Sequence, residues 1–281
     1  LDHASYYFDG NGQWILIGNS SATGKSSTNT MTFDTRTAQN GDRYILVQGF
    51  DSAGNSSYSY TVVTVSNAPS GVFKWVKSGS GGNSVASATK YDSLGNSIIV
   101  GKFSGVVDFG GVQLTSTGGW DGFIAKYTHS GGLIWVKSIG SVMDDVPMAV
   151  CVDSQNYIVV SGYFNSTADF GGTAMTSMGE SDAFICKYSP NGSLVWAKDF
   201  GGTTGDIAVG VGCDSNDNLF LLAQFIFSSS IDNLTLTSSG DFDTAIIKLS
   251  PAGAVLWGRN WGGAGYDEPR AISTDSAGDV Y

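Results

Sequence analysis

With only two histidines, three cysteines and five prolines in 281 residues, the chain has little material for the commonest catalytic and metal chemistries. His3 lies near the first residue and His129 in a Thr-His-Ser-Gly turn, neither beside a visible partner, so no histidine relay is expected. Cys151, Cys186 and Cys213 stand singly in apolar strand-like runs, without the close pairing of a metal knuckle. They read as buried thiols, with one Cys186–Cys213 bridge between neighbouring repeats as the alternative in an oxidising compartment. Basic residues number 14 against 25 acidic ones, and the net charge of −11 removes the electrostatic footprint that phosphate backbones or anionic lipid require. Nucleic acid is therefore not an expected partner. No run approaches the roughly 18 apolar residues of a membrane span, so no membrane insertion is expected of this segment. The first residues, beginning at Leu1, lack the basic and apolar regions of a signal peptide. Glycine is plentiful at 39 residues, yet glycine and proline together stay below the roughly 25–30% that marks low complexity.

A long internal repeat organises the chain. Tryptophan recurs at Trp75, Trp135, Trp196 and Trp257, at intervals of 60, 61 and 61 residues, each preceded four residues earlier by glycine (Gly71, Gly131, Gly192, Gly253). Asp-Ser pairs at Asp92, Asp153, Asp214 and Asp275 keep a 61-residue step, as do Asp121, Asp182 and Asp243 at the head of a Phe-Ile-x-Lys-Tyr-type run. Asp-Phe-Gly-Gly at 108–111 returns at 169–172 and, degraded, as Ser-Ile-Asp-Asn at 230–233. In the second repeat the apolar patterning predicts strands near 147–153, 157–164, 182–188 and 194–200. No segment has a helical period. Runs such as 157–160 are apolar on both faces, which suits strands covered on both sides. Four such strands per long repeat predict blades of a β-propeller, each packed between its neighbours.

The string Trp-x-Lys, Val-Asp-Ser-x-Gly-Asn, Asp-Phe-Gly-Gly, Asp-x-Phe-Ile-x-Lys-Tyr-Ser-Pro-Asn-Gly and Trp, over residues 71–281, resembles the seven-bladed β-propeller (SBBP) repeat of large secreted or surface proteins. Residues 1–66 read as five alternating strands, and Phe-Asp-Thr-Arg, Asn-Gly-Asp-Arg-Tyr and Asp-Ser-Ala-Gly-Asn resemble the later part of bacterial or archaeal Ig-like modules. The expected architecture is all-β: a partial Ig-like β-sandwich over 1–66, a linker over 67–71 and a propeller segment over 72–281. Within the propeller, a closing strand at 72–77 precedes blades at about 86–139, 147–200 and 207–261 and a half blade at 269–281. The chain reads as cut at both ends.

Candidate site residues are few. Asp214, Asn216 and Asn218 offer oxygens at alternating positions, as a calcium loop does, but Leu219 and Phe225 stand where an EF-hand needs glycine and glutamate. Turn chemistry, with the carboxylate accepting N–H groups one to three residues on, is the preferred reading; calcium is the only cofactor in view. Asp145, Asp206 and Asp267 recur in glycine-rich loops, where they would either form an acidic collar or accept hydrogen bonds from their own loops. The recurrent tryptophans read as packing elements. Aromatics that break the repeat, Trp120, Trp261 and Tyr266, are better candidates for ligand contact. Gly18–Ser26 has one spacer too many for a phosphate-binding loop.

These features favour a non-enzymatic extracellular or cell-surface protein with a role in adhesion, filament or envelope assembly, its partners being other domains or subunits of that assembly. Two alternatives stand beside it: a glycan- or protein-binding propeller, and a secreted hydrolase or lyase whose active site lies in further blades.

Overall fold

A computed structural model describes residues 79–275 and 278–281, and the backbone of the strands within 3–10, 13–21, 41–50 and 56–65. Strands β1 (His3–Gly10), β2 (Gln13–Ser21), β3 (Gly41–Phe50) and β4 (Ser56–Val65) form one antiparallel sheet in the order β2-β1-β3-β4. The fifth strand expected at Asn29–Arg36, the linker and the closing strand at 72–77 lie outside the described residues. Among the described residues the first segment is a single sheet, and a second sheet packed on it to make a sandwich is not among them.

Three repeats then each contribute four antiparallel blade strands: those of the first continue the same sheet through a parallel pairing of Tyr60 with Val85, and the other two repeats form separate four-stranded sheets. The first contains β5 (Ser80–Tyr91), β6 (Ser97–Asp108), the short β7 (Gln113–Thr115), β8 (Asp121–Tyr127) and β9 (Leu133–Ile139); β7 pairs with the far end of β6. The second contains β10 (Val146–Val152), β11 (Ile158–Asp169), β12 (Ala174–Tyr188) and β13 (Leu194–Phe200), in that spatial order. The third contains β14 (Ile207–Cys213), β15 (Leu219–Phe225), the hairpin β16 (Ser228–Ile231) and β17 (Leu234–Thr237), then β18 (Asp243–Leu249) and β19 (Val255–Trp261). The sheet runs β14-β15-β18-β19, with β16-β17 pairing separately. No helix occurs among the described residues. The fold is all-β with blade-like sheets, and β10 and β13, first and last in their repeat, share one sheet as the patterning predicts.

One difference lies in the middle strands. β11 and β12 run beyond the expected 157–164 and 182–188, because the intervening loop folds back as an outer hairpin in which Thr167, Ala168 and Asp169 pair with Thr176, Met175 and Ala174. The Asp-Phe-Gly-Gly string closes it. Asp169 Oδ1 accepts the N–H groups of Gly171 (3.0 Å) and Gly172 (2.7 Å), whose φ values of 98° and 105° only glycine adopts freely. Asp108 does the same with Gly110 and Gly111. In the third repeat Asp232, at the tip of the equivalent hairpin, ion-pairs with Lys198 of the second at 2.7 Å.

Apolar layers fill the spaces between sheets. Ile98, Val100 and Ile124 of the first blade pack against Val150, Ile158, Val160 and Phe184 of the second. On the far side, Val159, Ala183 and Ile185 of the second meet Leu219, Leu221, Phe225 and Ile247 of the third. This is why the second strands are apolar on both faces: residues of opposite parity belong to different layers. A further layer around Phe103, Phe109 and Phe123 covers the outer face of the first blade. β10 packs against both β5 and β14, so the first strands of successive blades are neighbours. The fourth repeat begins the same way, with Thr274 bridging Val280 and donating its hydroxyl to Cys213 O at 2.7 Å.

The cysteine expectation requires correction. The bridge between repeats joins Cys151 and Cys213, whereas Cys186 is a free thiol buried in the interior, its pKa pushed up by desolvation. Cys151 and Cys213 end β10 and β14, the two neighbouring first strands. Cys186 sits near the end of β12, its thiol directed at Val160 O within its own blade, and faces the first-blade side of the sheet. Sequence spacing alone did not distinguish the two faces.

Candidate functional site

Antiparallel order gives each blade two ends. One end carries the Asp-Ser turns and the Ser-Pro-x-Gly turns; the opposite end carries the loops before the first and third strands. At the first end the repeated residues form a clamp from blade to blade. Asp153 Oδ1 accepts the N–H groups of Gln155 (3.0 Å) and Tyr157 (2.8 Å), closing its own turn, and its other oxygen pairs with Lys187 Nζ at 2.8 Å. Lys187 reaches on to Pro251 O of the next blade at 3.1 Å. Lys126 does likewise with Asp92 (2.9 Å) and Pro190 O (3.2 Å), and the Trp135 indole N–H donates to the same carbonyl at 3.1 Å. A Cβ on Gly192 would lie 2.9 Å from the Trp135 ring, and one on Gly253 2.9 Å from that of Trp196, which accounts for the Gly-x-x-x-Trp spacing. The turns also touch each other: Ser154 N and Oγ donate to the Asp217 carboxylate at 2.8 and 2.7 Å.

The calcium candidate belongs to this clamp. Asp214 Oδ1 accepts Asn216 N (2.9 Å) and Asn218 N (2.8 Å), and Oδ2 accepts Asn218 Nδ2 (3.0 Å) beside Lys248 Nζ at 3.3 Å. Burial works to raise the Asp214 pKa, but the Asn218 and Asn216 hydrogen bonds and Lys248 outweigh it and hold the carboxyl below its usual value. The N–H donors stand two and four residues on, the first within the expected one to three and the second just beyond it, because the turn wraps around the carboxylate up to the residue before β15. Asn216 contributes its backbone N–H to this arrangement, and Asn218 its side-chain amide.

The opposite end holds the repeat-breaking aromatics. Trp120 is half-buried just before β8, its N–H donating to Asp144 Oδ1 at 2.9 Å and its ring under Lys102 Nζ at 4.8 Å. Trp261 and Tyr266 are 53% and 56% exposed in the third blade, where the Tyr266 hydroxyl accepts from Gln224 Nε2 at 2.9 Å. The Tyr266 ring meets Phe242 at 5.4 Å. Trp261 and Tyr266 thus share one edge, and Trp120 stands at the same end two blades away. Lys102, Asp144 and Phe242 were missed by sequence reasoning, although Phe242 occupies the position of Trp120 two repeats on.

Beneath these loops lie two aspartates per blade. Asp145 and Asp206 are fully buried and accept N–H groups from their own loops, Ser141 N at 2.6 Å and Gly202 N at 2.9 Å; Asp267 takes Gly263 N at 2.7 Å. Of the two readings of these residues, the loop-bonded one describes them. Asp121, Asp182 and Asp243 accept from Thr117, Met178 and Ser239, four residues earlier in each case. Desolvation raises the carboxyl pKa of Asp145 to about 6, that of Asp182 to about 6 and that of Asp206 to about 7. Among the described residues no group of three or more His, Cys, Asp or Glu side chains converges.

The sheets and their 61-residue step define a β-propeller-like repeat protein. No protein-family model matches the chain. Over 123 residues it is 31% identical to an uncharacterized WD repeat-containing protein of Acanthamoeba polyphaga mimivirus, an alignment of 41% of this chain and 9% of that one. The chain therefore spans under a tenth of that relative's length. Among solved structures, a protein of unknown function from Bacteroides caccae aligns over 92% of this chain and 94% of its own, with 8% identity and a TM-score of 0.31.

Proposed function

We propose that this chain is a non-enzymatic recognition and assembly module of an extracellular or cell-surface protein, an SBBP-type propeller segment preceded by an Ig-like unit. One observation carries the reading: the polar residues that repeat are taken up in turns, in loops and in the blade-to-blade clamp, whereas the aromatics that break the repeat all lie at the opposite end, Trp120 in the first blade and Trp261 with Tyr266 in the third. Such rings, backed by Lys102 and Asp144 on one side and by Gln224 on the other, suit stacking on sugar faces or on a protein partner. The Cys151–Cys213 bridge supports an oxidising compartment. The partners fitting this reading are glycans and the neighbouring domains or subunits of the same assembly.

The test uses the whole chain on a glycan array and in binding assays with its neighbouring domains, beside Trp120→Ala, Trp261→Ala and an outer-hairpin control, Lys198→Ala. Recognition by the aromatic end requires binding to fall about tenfold or more in the tryptophan variants and to persist in the control. Binding unaffected by either tryptophan would overturn this assignment of the surface.

A further inference from the structure

Three buried carboxylate oxygens recur at the same step of the repeat with no hydrogen-bond partner: Oδ1 of Asp121, of Asp182 and of Asp243. These side chains head β8, β12 and β18, and the residues are 1%, 0% and 0% exposed. Each has committed its other oxygen to a backbone N–H in its own loop, at 2.9 to 3.0 Å. A buried carboxylate oxygen without a donor costs more than almost any other polar defect, so a defect repeated three times calls for a ligand.

The surroundings indicate which kind. In two repeats the orphan lies against the glycine opening the loop that carries the second aspartate: a Cβ on Gly201 would stand 2.5 Å from Asp182 Oδ1, and one on Gly262 2.1 Å from Asp243 Oδ1. Gly140 holds the same place under Asp121, with Oδ2 the nearest atom at 2.2 Å. In all three repeats the carboxylate thus packs directly on a glycine, where no larger residue fits. The backbone N–H groups of Asp145, Asp206 and Asp267 donate to the carbonyls of Trp120, Ser181 and Phe242, the residues just before Asp121, Asp182 and Asp243, at 2.6, 2.7 and 2.8 Å, which sets the two aspartates of each pair side by side. None of the ion pairs among the described residues reaches any of these six carboxylates; the lysines in those pairs serve the clamp turns or the Asp232 hairpin. The second aspartates are held in place by Ser141 N and Asn165 N on Asp145 and by Gly202 N and the Ser229 hydroxyl on Asp206, so each pair offers carboxylate oxygens, the hard ligands calcium takes.

We propose that each repeat binds one calcium ion between its paired aspartates, the buried Asp121 with Asp145 and Asp182 with Asp206, and the buried Asp243 with the half-buried Asp267, the remaining oxygens coming from loop carbonyls and water. This places the ion at the aromatic end, away from the Asp214 turn, and beneath the loops that present Trp120 and Tyr266. Bound calcium would tie the loop before the first strand of one blade to the third strand of the blade before it. Asp182 with Asp206 is the most enclosed pair.

The test titrates calcium into the chelator-treated full chain at pH 7.5, following heat by calorimetry and melting by circular dichroism, with magnesium for comparison. Calcium should bind and raise the melting temperature by several degrees; Asp182→Asn and Asp206→Asn should lower the stoichiometry, and Asp214→Asn should not. Terbium luminescence excited through tryptophan and displaced by calcium reads the wild-type site even where a variant does not fold, Trp120 adjoining the first pair. Absence of calcium binding at 10 mM overturns the proposal. So does binding abolished by Asp214→Asn but kept in Asp182→Asn, which would return the ion to the turn. An Asp182→Asn variant that melts higher in chelator and leaves the calcium response unchanged also overturns it, since the pair would then share a proton instead.

Discussion

Replacing Lys187 with methionine tests the blade-to-blade clamp against an internal control that the repeat itself supplies. Lys187 Nζ lies 2.8 Å from Asp153 and 3.1 Å from Pro251 O, with side-chain exposures of 7% for the lysine and 2% for the aspartate. Methionine keeps most of the stem's packing but strands the Asp153 carboxylate without its countercharge and Pro251 O without its donor. Breaking a buried pair by removing one partner costs about 3–5 kcal/mol, mostly the penalty for the charge left behind. At roughly 2–4 °C per kcal/mol for a chain of this size, the melting temperature should fall by about 6–20 °C. Lys248 occupies the same place one repeat on, but its Nζ stands 3.3 Å from Asp214 with 20% of the side chain exposed, and its amine lies over the Phe220 ring at 4.6 Å. No turn carbonyl from a following blade receives it among the described residues, so Lys248→Met should cost about 1–2 kcal/mol. Urea denaturation followed by tryptophan fluorescence and circular dichroism measures both. The double variant Lys187→Met with Asp153→Asn should recover part of the loss, because the stranded charge is then gone. Equal costs at Lys187 and Lys248, or a double variant no more stable than Lys187→Met, would refute the clamp.

Reducing the Cys151–Cys213 bridge, which closes a loop over a sequence separation of 62, should destabilise the chain by about 2–4 kcal/mol. Thiol titration should then find one reactive cysteine in the oxidised, unfolded protein and none in the native one, Cys186 being buried. Gly192→Ala should cost about 2–3 kcal/mol, since it combines a φ of 84° with a Cβ 2.9 Å from the Trp135 ring. Gly172→Ala, at φ 105° with open space around the new methyl, should cost about 1 kcal/mol in the same melts. Asp92 has its carboxyl pKa lowered: burial works against this, but the Asn96 hydrogen bonds and Lys126 prevail. Its contribution is therefore complete above the unfolded value of 3.8 and is lost as pH falls through the lower folded value. A stability profile from pH 5 to pH 2 should show this acid arm shrinking in Asp92→Asn, and an unchanged profile would argue against the turn-and-lysine account.

Much of the architecture was written in the sequence by itself, because a repeat repeats its physics. The 61-residue step of Trp, Gly and Asp implied like sheets, and the two-faced apolar runs implied strands covered on both sides, whereas the outer hairpin closed by Asp-Phe-Gly-Gly was not read from its recurrence. The first and last strand positions followed from local alternation, which near neighbours set. What local pattern could not decide was where side chains of different repeats meet. That Cys151 rather than Cys186 reaches Cys213 depends on which face of a sheet a residue occupies and which strand stands nearest in the neighbouring blade. Gly-x-x-x-Trp marked a packing element in the sequence, but only the tertiary structure showed that Trp135 and Trp196 each lie over the glycine of the next repeat, 57 positions away, Trp135 beside a lysine that reaches the same Pro190 carbonyl. The paired aspartates are the clearest case. Each has its own regular spacing and reads as ordinary loop chemistry, and only the fold of one blade into the loop leading to the next brings two buried carboxylates together and leaves an oxygen of one without a donor.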